Sequence, residues 1–235
     1  MEKIKKIKKI LERENIDGYI IPKNDEFFEE SVPDHNDRLK FISNFTGSFG
    51  FALILKNKNY LFVDGRYTLQ ANNQSGEFFK IITIPDKKPY DVINGQKLLI
   101  GFDPKLFTKE FLNTFFSKTF CKFKSLDYNL IDEIWKRRKK VSKKKFFKLP
   151  NNSVSEEYHS KVKKITNYLK QNKAEFLFIT ASENNAWMLN IRGRDTKYTP
   201  IPYSHILINK NKNIQFFFEL KKISLSLKKI FKKVE

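Results

Sequence analysis

Residues 61–75, LFVDGRYTLQANNQS, bring a carboxylate, a guanidinium and a phenol together at Asp64, Arg66 and Tyr67. The apolar run Leu61 to Val63 stops at an Asp-Gly turn signal, so these groups arrive at a strand end just before a helix-compatible run. Such a trio is a reactive or recognition edge. Turn chemistry alone is the competing reading: Asp64 caps, Gly65 supplies the turn conformation, and Arg66 pairs with a carboxylate inside the fold. Elsewhere reactive side chains are sparse. Cys121 is the single cysteine, which excludes an intramolecular disulfide; it lies in TFCKF, an alternating strand pattern with no histidine nearby in sequence. His35, His159 and His205 stand in unrelated contexts, and no carboxylates cluster at metal-ligand spacing. The sequence therefore offers no catalytic residue and no metal site of its own.

The elements that must hold the Asp64–Tyr67 edge occur twice. Each half opens with a lysine-rich amphipathic helix, over residues 3–14 and about 155–172, the second preceded by the capping-box pattern Ser153-x-x-Glu156. In the first helix Ile4, Ile7, Ile10 and Leu11 share one face. A short strand follows, DGYIIP or EFLFIT, then Phe41-x-x-Asn44-Phe45-x-Gly47 or Trp187-x-x-Asn190-Ile191-x-Gly193. Each half then has a Lys/Asn hairpin, FALILKNKNYLFVD or HILINKNKNIQFFFE. The pattern predicts an α/β fold made of two copies of one domain, each a mixed sheet with packed helices. The domains are placed at 1–135 and 151–235, with the basic run of 136–150 as a solvated linker. KLLIGFDP (97–104) adds a strand ending in a Pro-directed turn, and TKEFLNTFF a helix with Phe111, Phe115 and Phe116 inward. At least 20 of the 24 phenylalanines are expected in the core.

Length and composition bound the rest. The 235 residues suffice for two ordinary domains, and no run of about 18 apolar residues could span a membrane. The N-terminus has no apolar signal region, so the chain is expected in the cytoplasm. A net charge of +20 suggests nucleic acid, but 39 lysines stand against 7 arginines. Ile, Phe and Asn are inflated together, at 24, 24 and 21, while Gly and Ala fall to 8 and 5. That is the mark of an AT-rich genome rather than of selection for phosphate contacts, which favour the arginine fork. Nucleic-acid binding is therefore not the expected role.

At this point the residues resemble a known family. Asp25, Arg38, Phe41-Ile42-Ser43, Phe45-Thr46-Gly47-Ser48, the D-G-R-Y-x-L-Q-A of 64–71 and Gly101-Phe102-Asp103-Pro104 follow one another as in the N-terminal domain of the Xaa-Pro aminopeptidases, in their long three-domain form within the creatinase and aminopeptidase P superfamily. NLIDEIW and AWMLNIRGRD (186–195) are similar to that family's domain junction and second domain. Departures exist: Phe27 and Glu29-Glu30-Ser31 replace a histidine and a Ser-Glu-Tyr, Asn44 a glycine, and Thr199-Pro200 an Asn-Pro.

The resemblance implies that catalysis resides in a third domain, where two Asp, one His and two Glu hold a pair of divalent ions, manganese by expectation, that activate a bridging water. Within that scheme KKISLSLKKIFKKVE reads as a helix about midway through the second domain, which the resemblance implies to be incomplete here, so the chain resembles the non-catalytic N-terminal region of a metallopeptidase that removes an N-terminal residue preceding proline. The implied roles are dimerisation and shaping the substrate cleft, with a homodimer mate or a catalytic domain as partner and peptide substrate reached only through that domain. Candidate residues are Arg38, Phe45, Arg66, Tyr67 and Arg192. Internal ion pairs are the competing role for Arg38 and Arg66, packing for Phe45 and Tyr67, and bracing of the NIRGRD turn for Arg192. The alternatives are a free-standing scaffold that pairs with a separate catalytic chain, and a basic RNA-binding protein.

Overall fold

The structure is a computed structural model that describes residues 2–139, 142–224 and 227–228. These fall into two compact units, Met1–Glu26 with Asp34–Lys139, and Phe27–Pro33 with Lys140–Glu235.

In the first unit helix α1 (Glu2–Arg13) buries Ile4, Ile7, Ile10 and Leu11 and leaves its lysines in solvent. Strand β1 (Gly18–Pro22) and helix α2 (Arg38–Ser43) follow, then the hairpin β2 (Gly50–Leu55) and β3 (Asn59–Asp64), and helix α3 (Thr68–Ser75). The unit closes with β4 (Lys80–Ile84), α4 (Pro89–Val92), β5 (Leu99–Phe102), α5 (Lys109–Phe116), β6 (Lys122–Ser125) and α6 (Leu130–Ile134). The six strands lie in the order β4-β3-β2-β1-β5-β6, with β1–β2 and β2–β3 antiparallel and the remaining pairs parallel. Tyr19, Ile21, Ala52, Ile54 and Leu61 pack on one face with residues of α1 and α6. Ile20, Phe51, Leu53 and Phe62 pack on the other with Phe115 and Phe116 of α5. Burial on both faces is why β1 and β2 read as unbroken apolar runs.

The second unit contains β7 (Phe147–Lys148), α7 (Tyr158–Gln171), β8 (Phe176–Ile179), α8 (Ser182–Leu189), β9 (Ile191–Arg192) and the hairpin β10 (His205–Asn209) and β11 (Ile214–Phe217). Its sheets are an antiparallel β11-β10-β8 and a two-stranded β7-β9.

The repeat read in the sequence holds in strand register, helix ends and two side-chain contacts. Gly18 to Ile21 of β1 face Leu55 to Ala52, and Phe176 to Ile179 of β8 face Asn209 to Ile206, so the register superposes Tyr19 on Leu177. The first helices of both units end on a left-handed residue, Asn15 at φ 53° and Lys173 at φ 54°. Lys56 pairs with Asp17 at 2.9 Å where Lys210 pairs with Glu175 at 2.6 Å. Helices α2 and α8 both end on left-handed asparagines, Asn44 and Asn190, a conformation that asparagine tolerates better than most residues. Lys3 Nζ donates to the Phe41 carbonyl at 2.7 Å and lies 4.3 Å from that ring's centroid. Lys161 Nζ does the same to Trp187, at 2.7 and 4.3 Å. Each clamp gives a helix C-terminus the cation its dipole favours.

Four local expectations change. Ser153 and Glu156 form no capping box, because Asn151–Ser153 is drawn into a 3-10 turn and α7 starts after Glu157; Glu156 binds the side chains of Ser160 and Lys164 instead. The basic run expected as a solvated linker buries Phe146 in the second core, and Phe147–Lys148 pair with β9. Among the described residues seven phenylalanines are exposed; three of them, Phe176, Phe178 and Phe217, share a face of the β11-β10-β8 sheet that no helical layer of the described residues covers. The helix expected from Lys221 starts as a 3-10 turn, Leu220–Lys222, with Ile223 extended; residues 225, 226 and 229–235 lie outside the described residues.

Candidate functional site

Strand β3 ends at Asp64, whose carboxylate accepts the Arg66 backbone N–H at 2.9 Å and starts a 3-10 turn, Gly65–Tyr67, that runs into α3. Arg66 Nε donates to the same carboxylate at 2.8 Å, and this guanidinium holds the Asp64 carboxyl below its usual range. The capping half of the turn-chemistry reading is what forms, yet Arg66 pairs with Asp64 itself and stays 75 % exposed. Gly65 is not required for its conformation, since its φ is not in the left-handed region and a Cβ would meet only Thr83 at 3.7 Å.

Tyr67 turns back over the loop after α2. Its ring meets Phe45 edge-on, with centroids 5.9 Å apart, and its hydroxyl shares a 2.7 Å hydrogen bond with Ser48, which lowers the phenol's pKa. From α3, Gln74 Oε1 accepts the Thr46 N–H at 2.9 Å, and Gln70 and Gln74 both donate to the Thr46 hydroxyl. F-T-G-S and D-G-R-Y-x-L-Q-A are therefore two sides of one construction, a loop tied to a helix with the exposed Arg66–Asp64 pair at its edge. Phe45 is fully buried and anchors the loop. A Cβ on Gly47 would sit 2.2 Å from Phe45 Cζ, so Gly47→Ala is expected to cost about 1–3 kcal/mol, read as a lowered urea midpoint at unchanged slope.

Phe45, Arg66 and Tyr67 are thus brought together, while Arg38 lies at the opposite end of α2. Arg38 is 2 % exposed and grips Asp132 through Nε and Nη2 at 2.9 and 2.8 Å, and Glu26 through Nη2 and Nη1 at 2.6 and 3.3 Å. Its internal ion-pair role is what the geometry shows. Arg192, in the second unit, donates to the carbonyls of Ala186 and Ile191 at 3.2 and 2.8 Å, bracing the chain as it leaves α8. Thr46, Ser48, Gln70 and Gln74 were missed as members of the loop construction; the i, i+4 spacing of the two glutamines on α3 was the available signal. Among the described residues no three His, Cys, Asp or Glu side chains gather as a metal would require. Four of the five buried carboxylates among the described residues are bonded to separate partners, Asp25 to Asn36, Asp37 to Lys23, Asp103 to Asn129 and Asp195 to Lys222, so the residues present do not fit a two-metal centre.

The sequence pattern described as the creatinase/prolidase N-terminal domain matches residues 3–134, and a second pattern of the same description matches 137–235. The chain belongs to the creatinase/prolidase N-terminal-domain family. Among its relatives, Xaa-Pro aminopeptidase app-1 of Caenorhabditis elegans is 31 % identical over 207 residues, 81 % of this chain and 33 % of that protein. A probable Xaa-Pro aminopeptidase P of Laccaria bicolor is 28 % identical over 225 residues, 92 % of this chain and 35 % of its own length. The crystal structure of X-prolyl aminopeptidase from C. elegans, described as a cytosolic enzyme with a di-nuclear active site, superposes with a TM-score of 0.91 at 27 % identity. That superposition covers 99 % of this chain and 41 % of the other. This family member therefore spans about a third of the length of the relatives it matches. Among its described residues no helix is long and apolar enough to cross a membrane.

Proposed function

We propose that this creatinase/prolidase N-terminal-type chain is the non-catalytic N-terminal region of an Xaa-Pro aminopeptidase-like metallopeptidase of the cytoplasm. It supports dimerisation and shapes the substrate cleft for removal of an N-terminal residue preceding proline. The observation that carries this reading is the 0.91 TM-score over nearly the whole chain against less than half of the C. elegans enzyme. The tied loop with its exposed Arg66 supplies the part that faces a peptide: a largely exposed guanidinium, oriented by Asp64 through Nε, suits a substrate carboxylate or carbonyl, and the Tyr67–Ser48 bond fixes its base. Peptide, metal pair and mate all enter through a catalytic domain, in the same polypeptide or a second one.

Two measurements test this. Purified chain supplemented with manganese should leave an Xaa-Pro peptide uncut, and chelator-sensitive turnover would overturn the non-catalytic assignment. Joined to a catalytic domain of the family, the chain should raise kcat/KM, with Arg66→Ala removing about 5- to 10-fold of it while the melting temperature stays put. A catalytic domain equally active with and without the chain would sink the cleft-shaping role.

A further inference from the structure

Beside α2 and α6 the first unit carries a cleft of about 390 Å³, the size of a small-molecule site. Its apolar wall is the pair Phe41 and Trp135, whose rings stack with centroids 4.5 Å apart. Lys3 Nζ lies over Phe41 at 4.3 Å and the Arg138 guanidinium over Trp135 at 5.1 Å. The ring faces are therefore taken, and the edges, the positive rim of each π system, are left for the cleft. The polar lining is rich in donors. Among the described residues the Arg137 guanidinium, the Asn44 side-chain amide and the Trp135 indole N–H have no hydrogen-bond partner. Lys40 and Lys139 are drawn to the rim by Asp34, at 3.0 and 2.6 Å from its two oxygens.

Charge and fork together define the occupant. Asp37, the second acid of the lining, is paired with Lys23 at 2.5 Å, which leaves Asp34 alone against Lys40, Arg137 and Lys139. Three cations against one acid leave two positive charges for a ligand to match. In a chain with 39 lysines and 7 arginines, an arginine with no internal partner stands where a planar fork, not a point charge, is wanted. We propose that this cleft binds a phosphate monoester carried on a small aromatic body, with the dianion gripped by the Arg137 fork between Lys40 and Lys139 and the ring face set against the edges of Phe41 and Trp135. A carboxylate would match only one of the two charges. The inference rests on the first unit and is independent of the peptidase reading.

The chain has two tryptophans, so Trp187→Phe leaves Trp135, in the cleft wall, as the sole indole reporter. The probe is phenyl phosphate, used well above the second phosphate pKa of about 6. It should change Trp135 emission saturably, with half-saturation at roughly 0.1–1 mM that weakens as salt is added. Phenyl sulfate, of the same outline with one charge fewer, and benzoate should each bind about 5- to 10-fold more weakly. Arg137 is exposed, so Arg137→Lys keeps the charge at little risk to folding; it should weaken phenyl phosphate by about 5- to 10-fold with the melting temperature unchanged. Arg194→Lys, the same exchange at an exposed arginine of the second unit, should leave binding unchanged. No saturable change up to about 10 mM overturns the proposal. So does phenyl sulfate or benzoate binding as tightly as phenyl phosphate. An Arg137→Lys variant that binds like its parent overturns it too, since diffuse attraction to a basic surface would then be the whole effect.

Discussion

Arg38→Met is expected to remove about 2–4 kcal/mol from the stability of the first unit. The guanidinium uses both edges, one fork on Asp132 and one on Glu26, and is itself almost wholly buried. Methionine matches its bulk but leaves two carboxylates facing each other with less compensation; Arg138, 3.0 Å from Asp132, limits the loss on that side. Each acid is about one-third exposed and recovers some hydration, which keeps the figure below that for a fully buried pair. Arg38→Lys should fall between the two, because a point charge cannot hold two planar forks. Urea unfolding followed by Trp135 emission in a Trp187→Phe background isolates this unit. A loss under about 1 kcal/mol would show that the network is ornamental. The same contacts join α6 to the start of α2, whose far end delivers Phe45 and the tied loop, so Arg38→Met should also speed proteolysis at residues 46–49.

Arginine was the most legible signal in this sequence because the composition makes it rare. Only seven remain among 46 basic residues, and five of them sit where two or more directed bonds are needed. Arg13 holds Glu133 and Tyr128, Arg38 and Arg66 grip carboxylates, Arg138 donates to the His35 carbonyl and Asn36, and Arg192 caps backbone carbonyls. Lysine cannot supply that fork, so a drift toward lysine spares such sites. The repeat was legible for a related reason. Its elements are fixed by backbone requirements, such as the left-handed Asn44 and Asn190, that local sequence carries.

What was not legible depended on neighbours distant in sequence. Phenylalanine on a strand reads as core, but Phe176 and Phe178 alternate with half-buried Leu177 and Ile179, and only the packing partner decides which face is covered. Phe146 sits in a run of lysines that looks solvated, and its burial follows from a strand pair with residues more than 40 positions away. The Lys3–Phe41 and Lys161–Trp187 clamps were hidden for the opposite reason, being single lysines among 39.

The largest loss is expected for Lys222→Met in the second unit. Lys222 Nζ lies 2.7 Å from Asp195 Oδ1, with side chains 4 and 0 % exposed, and the other Asp195 oxygen accepts the Tyr203 N–H at 2.8 Å. The Lys222 carbonyl accepts the Phe146 N–H, so one residue holds both the entry strand and the loop after β9. Removing the ammonium strands a carboxylate with no route to water, a cost of about 3–5 kcal/mol. Glu219, 3.7 Å from Nζ, loses a weak half-exposed contact and adds little. Adding Asp195→Asn to Lys222→Met should restore much of the stability, because a neutral amide keeps the acceptor for Tyr203 and no buried charge is left. Trp187 emission in a Trp135→Phe background reports this unit alone. A double variant no more stable than Lys222→Met would place the cost in lost packing of the lysine stem rather than in the orphaned Asp195 carboxylate.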